Sequence, residues 1–101
     1  MKARIRFHSK LTLVHGTTFD VAVAELKIIE VPKSIHYPEG LKFSMFLVLK
    51  ESGRVLVGFD NHKPKGPHLH MHGRELAYKF EGAEQLVEDF WRSVRKEGFT
   101  V

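Results

Sequence analysis

The chain contains no cysteine, and this absence excludes several kinds of protein. Without cysteine there is no disulfide framework and no thiolate for catalysis or metal binding, which also fits a reducing compartment. No apolar run approaches the roughly 20 residues that a membrane-spanning helix needs. Residues 1–6 alternate charged and apolar side chains and lack the continuous apolar stretch of a secretory signal peptide. We therefore predict a cytoplasmic protein that does not associate with membranes.

The composition indicates one folded domain with an excess of positive charge. The 101 residues are 43% hydrophobic and 11% aromatic, enough for one core and too much for a disordered chain. No internal repeat, low-complexity tract or linker is visible, so residues 1–101 are predicted to form a single domain. The formal net charge of +4 favours anionic partners, and nucleic acid is the first of these.

Most of the chain has the sequence pattern of β-strands. Four segments before residue 61 are predicted strands: 3–14, 19–31, 41–49 and 55–59. A further strand signal begins at Leu69 and continues through Phe80, with a break suggested at Gly73. Residues 86–94 place apolar side chains on one stripe with the period of an α-helix, and Gly98 is a natural helix stop. We predict an α+β fold, an antiparallel sheet of about five strands with one C-terminal helix packed on a face.

Residues 59–72 hold four of the seven histidines of the chain, together with two lysines. Histidine can accept and donate a proton near neutral pH, and lysine attracts phosphate, so the combination suits phosphodiester chemistry. The candidate catalytic residues are Asp60, Lys65, His68, His70 and His72. A neutral histidine would deprotonate a ribose 2′-hydroxyl, and a protonated one would donate to the leaving oxygen. Asp60 is expected to fix a histidine tautomer, and Lys65 to stabilise charge on the phosphate.

A second set of basic residues is predicted to bind the phosphate backbone. Arg4, Arg6 and Lys10 share one parity, so on a regular strand they form a stripe along one face. Lys63 and Arg74 flank the histidines and are expected to contact phosphate as well. The alternative for these charges is a solvated strand face or a protected sheet edge. The alternative for the histidines is an exposed strand face that forms ordinary hydrogen bonds.

A metal site is the competing interpretation of the histidines. On an extended strand the Cα atoms of His68 and His72 lie about 13 Å apart. One ion with bonds of ~2.1 Å would strain to reach both. Two neighbouring histidines plus a ligand from elsewhere are feasible, and His68-x-His70 followed by Glu75 matches the first half of a cupin motif whose second half is missing. We predict no metal and no cofactor, with a small metal-binding protein of cupin-like motif as an alternative.

The C-terminal half also resembles a known family. The motifs that carry the resemblance are Leu56-Val57-Gly58-Phe59-Asp60-Asn61, Lys65-Gly66-Pro67-His68-Leu69-His70 and the segments 74–80 and 84–90. In this order and spacing they make residues 41–97 similar to the TumE-like toxins of bacterial and archaeal type II toxin–antitoxin systems. The resemblance implies a growth-inhibiting toxin paired with a helix-turn-helix antitoxin, and it does not fix the chemistry.

The leading hypothesis is a toxin that acts on RNA through the histidines and lysines of residues 60–75. Such a toxin could be a metal-independent ribonuclease, and the sequence leaves open whether it is an enzyme at all. The alternative from a different class is a non-catalytic module that binds nucleic acid or a protein. RNA and a helix-turn-helix antitoxin are the expected partners, and the sequence permits an oligomer.

Overall fold

The computed structural model describes residues 3–100, which form six β-strands and one α-helix. The elements are β1 (Arg4–Val14), β2 (Val21–Glu30), β3 (Leu41–Leu49), β4 (Val55–Asp60), β5 (His68–Met71), β6 (Arg74–Ala77) and α1 (Ala83–Lys96). Each strand pairs antiparallel with the next, so the order in the sheet follows the order in the chain. The predicted α+β fold is confirmed, with one strand more than expected.

The additional strand arises from a tight turn between β5 and β6. His72 and Gly73 have positive φ angles of 51° and 76°, and Met71 pairs directly with Arg74. Two left-handed residues between paired strands form the two-residue turn whose twist suits a β-hairpin. The segment expected to be one strand therefore folds back on itself, and His72 lies at the tip of the hairpin instead of on the strand face.

The two faces of the sheet differ in character. The buried core consists mainly of alternate strand residues and one side of α1: Leu13, Ala22, Ala24, Leu26, Ile28, Phe43, Met45, Leu47, Val57, Phe59, Leu86, Phe90 and Val94. Because side chains alternate along a strand, the intervening residues point to the opposite side. We call the side that carries α1 the helix face. The opposite side, which includes Lys27, Ser44, Asp60 and His68 in one row across the sheet, is the outer face.

Helix α1 lies against β4 and is tied to the far edge of the sheet. Its charges suit the helix dipole, with Glu84 in the first turn and Arg95 in the last. The hydroxyl of Tyr78, just after β6, donates a hydrogen bond to Asp89 at 2.6 Å. Burial, followed by this hydrogen bond, raises the pKa of the Tyr78 hydroxyl well above its usual value. Within residues 3–100 no helix is long and apolar enough to span a membrane.

Strand β1 contains a bulge that separates its basic residues. The register with β2 shifts at Arg6, which is the extra residue and lines a cavity beside α1 on the helix face. Arg4 forms an ion pair with Glu30 at 3.0 Å, whereas Lys10 lies on the outer face. A regular strand would have placed Arg4, Arg6 and Lys10 on one side. The bulge breaks that alternation, and the three residues do not form the expected continuous stripe.

Candidate functional site

Three of the predicted catalytic residues meet on the outer face where β4 and β5 pair. Asp60 is the last residue of β4 and lies directly opposite His68, the first residue of β5. His70 lies opposite Gly58, two residues before Asp60. Because residues two apart on a strand share a face, both histidines and Asp60 project to the same side. We call Asp60, His68 and His70 the Asp–His cluster.

Asp60 lies between the two imidazoles. Its Oδ1 is 2.9 Å from Nε2 of His68, and its Oδ2 is 3.5 Å from Nε2 of His70. The backbone N–H of His62 donates a hydrogen bond to Oδ1 at 3.1 Å, which fixes the carboxylate. The side chains of His68 and Asp60 are 9% and 16% exposed, whereas that of His70 is 34% exposed. His70 is therefore the member of the cluster that a large substrate can reach most easily.

The hydrogen bond of His68 to the backbone shows which ring nitrogen carries a hydrogen. Nδ1 of His68 is 2.8 Å from the carbonyl oxygen of Gly66. A carbonyl oxygen only accepts, so Nδ1 must carry a hydrogen. Nε2 faces Oδ1 of Asp60, and an ionised carboxylate is likewise only an acceptor. When the imidazole is protonated, Nε2 therefore forms an ion pair with Oδ1 at 2.9 Å, and the proton on Nε2 is the one that can be transferred.

A lysine–glutamate pair borders the cluster. Nζ of Lys65 donates hydrogen bonds to both carboxylate oxygens of Glu75, at 2.9 and 3.0 Å. The hydrogen bond from Lys65 holds the pKa of the Glu75 carboxyl below its usual value. Oε1 of Glu75 is 3.7 Å from Nε2 of His68, so a second carboxylate lies beside that imidazole. Glu75 was not among the candidate catalytic residues. The signal that locates it is the hairpin register, which places it opposite His70.

Two other predicted site residues lie away from the cluster, and a third lies in the loop that follows Asp60. His72 is at the hairpin tip, and its Nε2 lies 2.9 Å from Oε2 of Glu97 at the end of α1. Arg74 pairs with Met71, which in turn pairs with the buried Val57, so Arg74 is exposed on the helix face. Lys63 is exposed in the loop between β4 and β5. The structure thus brings Lys65, Asp60, His68 and His70 together and separates His72 and Arg74 from them.

Asn61 fixes the start of the loop that carries Lys65. Its side chain is buried; Oδ1 accepts a hydrogen bond from the backbone N–H of Phe43, and Nδ2 donates one to the carbonyl oxygen of Leu41, both at 2.8 Å. The amide group thereby continues the hydrogen bonding along β3 beyond the end of β4. The sequence indicated only a turn at this position. A buried side chain that takes the place of a strand partner gives no periodic signal.

Two lysines that the sequence analysis missed belong to the outer face. Lys27 lies in the row that runs through Ser44 to Asp60, and Lys42 precedes Ser44 by two residues on the same face. With Lys10 they form a group that we call the outer-face lysines. The alternation of buried residues in β2 is the signal that could have placed Lys27 on this side.

Two of these lysines contribute to a lowered pKa of the neighbouring Glu25 carboxyl group. Glu25 lies directly opposite Lys10 on the outer face. A hydrogen bond with His8 is the main cause that holds the pKa of the Glu25 carboxyl below its usual value, and the charges of Lys10 and Lys27 add to it. Lys10 and Lys27 therefore lie close enough to Glu25 on the outer face to act on its charge.

Phe46 packs between Gly58 and the cluster. The three residues Phe46, Gly58 and His70 lie in one row across β3, β4 and β5. The ring centroids of Phe46 and His70 are 6.0 Å apart, with their planes inclined by 30°. A Cβ atom on Gly58 would collide with the ring carbons of Phe46. Glycine at this position therefore allows the Phe46 ring to cover β4 and to support His70.

We expect Gly58→Ala to lower the free energy of unfolding by about 1–3 kcal/mol, the usual cost of overpacking. The added methyl group must displace the Phe46 ring, so the same substitution should cost much less in a Phe46→Ala background. Urea unfolding of the four proteins in this double-mutant cycle measures the coupling. An equal cost in both backgrounds would show that the ring does not cover Gly58.

A comparison with protein-family models returned a match over nearly the whole chain. The family model described as Toxin TumE matches residues 2–97. The match confirms the resemblance noted for residues 41–97 and extends it through β1 and β2. Among curated proteins and solved structures, nothing matches the chain.

Proposed function

The chain belongs to the TumE toxin family, and from that premise we propose that it inhibits growth by cleaving RNA at the Asp–His cluster. Membership in the family gives the chain the role of a toxin and implies an antitoxin as its partner; a helix-turn-helix protein is the partner we propose. The proposal of RNA cleavage rests on one observation above all. Nε2 of His68 lies 2.9 Å from Oδ1 of Asp60 in a largely buried pair, and the more exposed imidazole of His70 lies beside them.

The proposed reaction is an attack of a ribose 2′-hydroxyl on the adjacent phosphorus. Nε2 of His70 takes the proton of the hydroxyl while the bond between O2′ and phosphorus forms. The bond between phosphorus and O5′ breaks, and the leaving oxygen receives a proton from Nε2 of protonated His68, whose positive charge Asp60 stabilises. The products are a 2′,3′-cyclic phosphate and a free 5′-hydroxyl. The two imidazole centroids are 4.7 Å apart, which lets both rings reach oxygens of one phosphate group.

The surrounding charges support this chemistry. Lys65 lies next to Glu75 at the edge of the cluster and would stabilise negative charge that develops on the phosphate. The two oxygen atoms of Asp60 lie 2.9 and 3.5 Å from the two imidazoles, so its negative charge would stabilise either ring when protonated. An acid–base pair of this kind typically contributes ~10²–10⁴-fold in rate. Each residue that we place in the reaction therefore has a contact that explains its role.

The test is whether purified protein cuts RNA by this route. We expect cleavage in the presence of EDTA, with a cyclic phosphate on the upstream product. An oligonucleotide with a 2′-deoxy sugar at the cleaved position should stay intact, because the attacking hydroxyl is missing. The His70→Ala variant should be inactive. Cleavage of the deoxy substrate would contradict the proposed nucleophile, and RNA that is bound without being cut would favour the non-catalytic binding module.

The outer-face lysines predict how RNA binding responds to salt. Replacing Lys27 and Lys42 with glutamine should weaken binding and reduce the slope of log K against log salt by about 1.4, since each phosphate contact to single-stranded RNA contributes about 0.7. The matched control is the double variant Arg74→Gln and Lys96→Gln, which also removes two positive charges but from the helix face of the molecule. Fluorescence anisotropy at several salt concentrations measures both slopes. A larger change in the control pair would move the RNA interface to the helix face.

A further inference from the structure

The atoms that meet in the Asp–His cluster also form a set of metal ligands. One ligand atom from each of Asp60, His68 and His70 lies within 4.8 Å of the other two. An ion bound to imidazole nitrogen and carboxylate oxygen at ~2.0–2.2 Å holds neighbouring ligand atoms ~3–3.5 Å apart. The separations from Asp60 to His68 and to His70 are 2.9 and 3.5 Å. We propose that the cluster binds one divalent transition-metal ion of the Zn²⁺ class.

The sequence argument against a metal no longer applies to this set of residues. That argument considered His68, His70 and His72 on one flat strand, where the outer two lie too far apart for one ion. In the structure His72 is at the hairpin tip, and the third ligand is Asp60 from the neighbouring strand. Strand pairing therefore supplies the ligand from elsewhere that a pair of adjacent histidines requires.

The surroundings of the cluster match those of metal-binding histidines. Such a histidine usually donates its second ring N–H to a carbonyl or carboxylate, which leaves the other nitrogen free to bind the ion. His68 does this through the Gly66 carbonyl at 2.8 Å. Asp60 is fixed by the backbone N–H of His62, and Glu75 adds negative charge 3.7 Å from Nε2 of His68. The ligands are therefore held in position by contacts that do not themselves require an ion.

The ligand types determine which ions fit. Two imidazole nitrogens and one carboxylate oxygen suit Zn²⁺, Co²⁺, Ni²⁺, Cu²⁺ and Fe²⁺, whereas Mg²⁺ and Ca²⁺ prefer sites built from oxygen. Three protein ligands leave further coordination positions for water. The exposed side of His70 is where such a position would open to solvent. We therefore expect Zn²⁺ and Co²⁺ to bind and Mg²⁺ not to compete with them.

A bound ion would also change the reactivity of the site. It would occupy Nε2 of His68, the atom from which the proposed reaction delivers its proton. It would likewise take the lone pair with which His70 accepts a proton. Metal loading should therefore inhibit RNA cleavage. This consequence rests on the proposed function, whereas the binding of the ion does not.

The binding test uses purified protein that has been stripped of metal with EDTA and then dialysed. Calorimetric titration with Zn²⁺ and visible absorption during titration with Co²⁺ should each give one ion per chain. Asp60→Asn and His70→Gln should each weaken binding by ~100-fold or more, since even groups behind the ligands typically contribute ~10–100-fold. His72→Gln and His36→Gln are the controls and should bind as the parent does. Circular dichroism establishes that each variant is folded.

The outcomes separate this proposal from the proposed function. The metal site would be overturned, even if RNA is cleaved, by either of two results. One is a parent protein that does not bind one Zn²⁺ per chain; the other is Zn²⁺ binding that neither Asp60→Asn nor His70→Gln changes. One ion bound by the cluster in a protein that does not cut RNA would support the metal site and overturn the ribonuclease. Cleavage that requires Zn²⁺ would overturn the inhibitory role, and cleavage blocked by Zn²⁺ and restored by EDTA would support it.

Discussion

Replacing His70 with alanine should abolish toxicity while leaving the protein folded. His70 is the most exposed member of the Asp–His cluster, so its loss opens no large cavity in the core. The substitution removes the proposed base, and loss of such a group typically lowers the rate by ~10²–10⁴-fold. Growth after expression without antitoxin is the readout, and circular dichroism of the purified variant reports the fold. A fully toxic His70→Ala protein would refute the catalytic role.

Two other histidines provide the comparison. His68→Ala should also lose toxicity, but it should lose stability as well, because the Gly66 carbonyl and Asp60 are left without their partner. His72→Ala should remain toxic, since His72 contacts Glu97 at the hairpin tip and not the cluster. It is a suitable control because it removes the same side chain two residues away. Loss of toxicity in a folded His72→Ala protein would place the hairpin tip in the functional surface.

The sequence located the histidines and named Asp60 as a partner, but it did not show which histidines Asp60 meets. Alternation along one strand placed His68 and His70 on the same face, as the structure has them. The meeting of Asp60 with His68 depends on the register between β4 and β5. The loop between these strands starts at Asn61, whose buried amide holds the end of β4 against β3. Contacts of this kind join residues that are close only after folding, so no local sequence pattern predicts them.

The turn at His72 shows a second limit of pattern analysis. Gly73 correctly marked a break, because glycine adopts positive φ at little cost. His72 adopts positive φ as well, and nothing in its residue type predicts this. The two together form the hairpin turn and add a sixth strand. The positive φ of His72 thus places His72 outside the cluster, and the turn brings Glu75 next to His68.

The bulge in β1 is a third case of the same kind. An inserted residue leaves the alternation of charged and apolar residues unchanged in the sequence, although it reverses the faces in space. Arg6 consequently lies beside α1, while Lys10 stays on the outer face. The lysines that do line the outer face near the cluster, Lys27 and Lys42, lie on strands where no bulge intervenes between them and the core pattern. Regular strands were predictable, and their irregularities were not.

For α1 the sequence pattern and the structure agree on the helix, and the structure distinguishes its two neighbouring aromatic residues. The apolar stripe of α1 includes Phe90 and Trp91, and the sequence indicates that both belong to the core. In the structure Phe90 is fully buried, whereas Trp91 is only partly buried and lines the cavity that also contains Arg6. The Phe90 ring packs 6.2 Å from that of Phe59, the residue before Asp60 on β4.

Phe90→Ala should therefore destabilise the fold more than Trp91→Ala does. Loss of a fully buried aromatic side chain typically costs ~3–5 kcal/mol, a large part of the roughly 5–15 kcal/mol that stabilises a domain. Trp91→Ala should cost less, because part of its ring is already in contact with solvent. Urea unfolding of both variants measures the difference. If Trp91→Ala were the more damaging change, the burial described for α1 would be wrong. If neither substitution shifted the unfolding midpoint, α1 would not be docked on the sheet. Phe90 would then not support β4 behind Asp60.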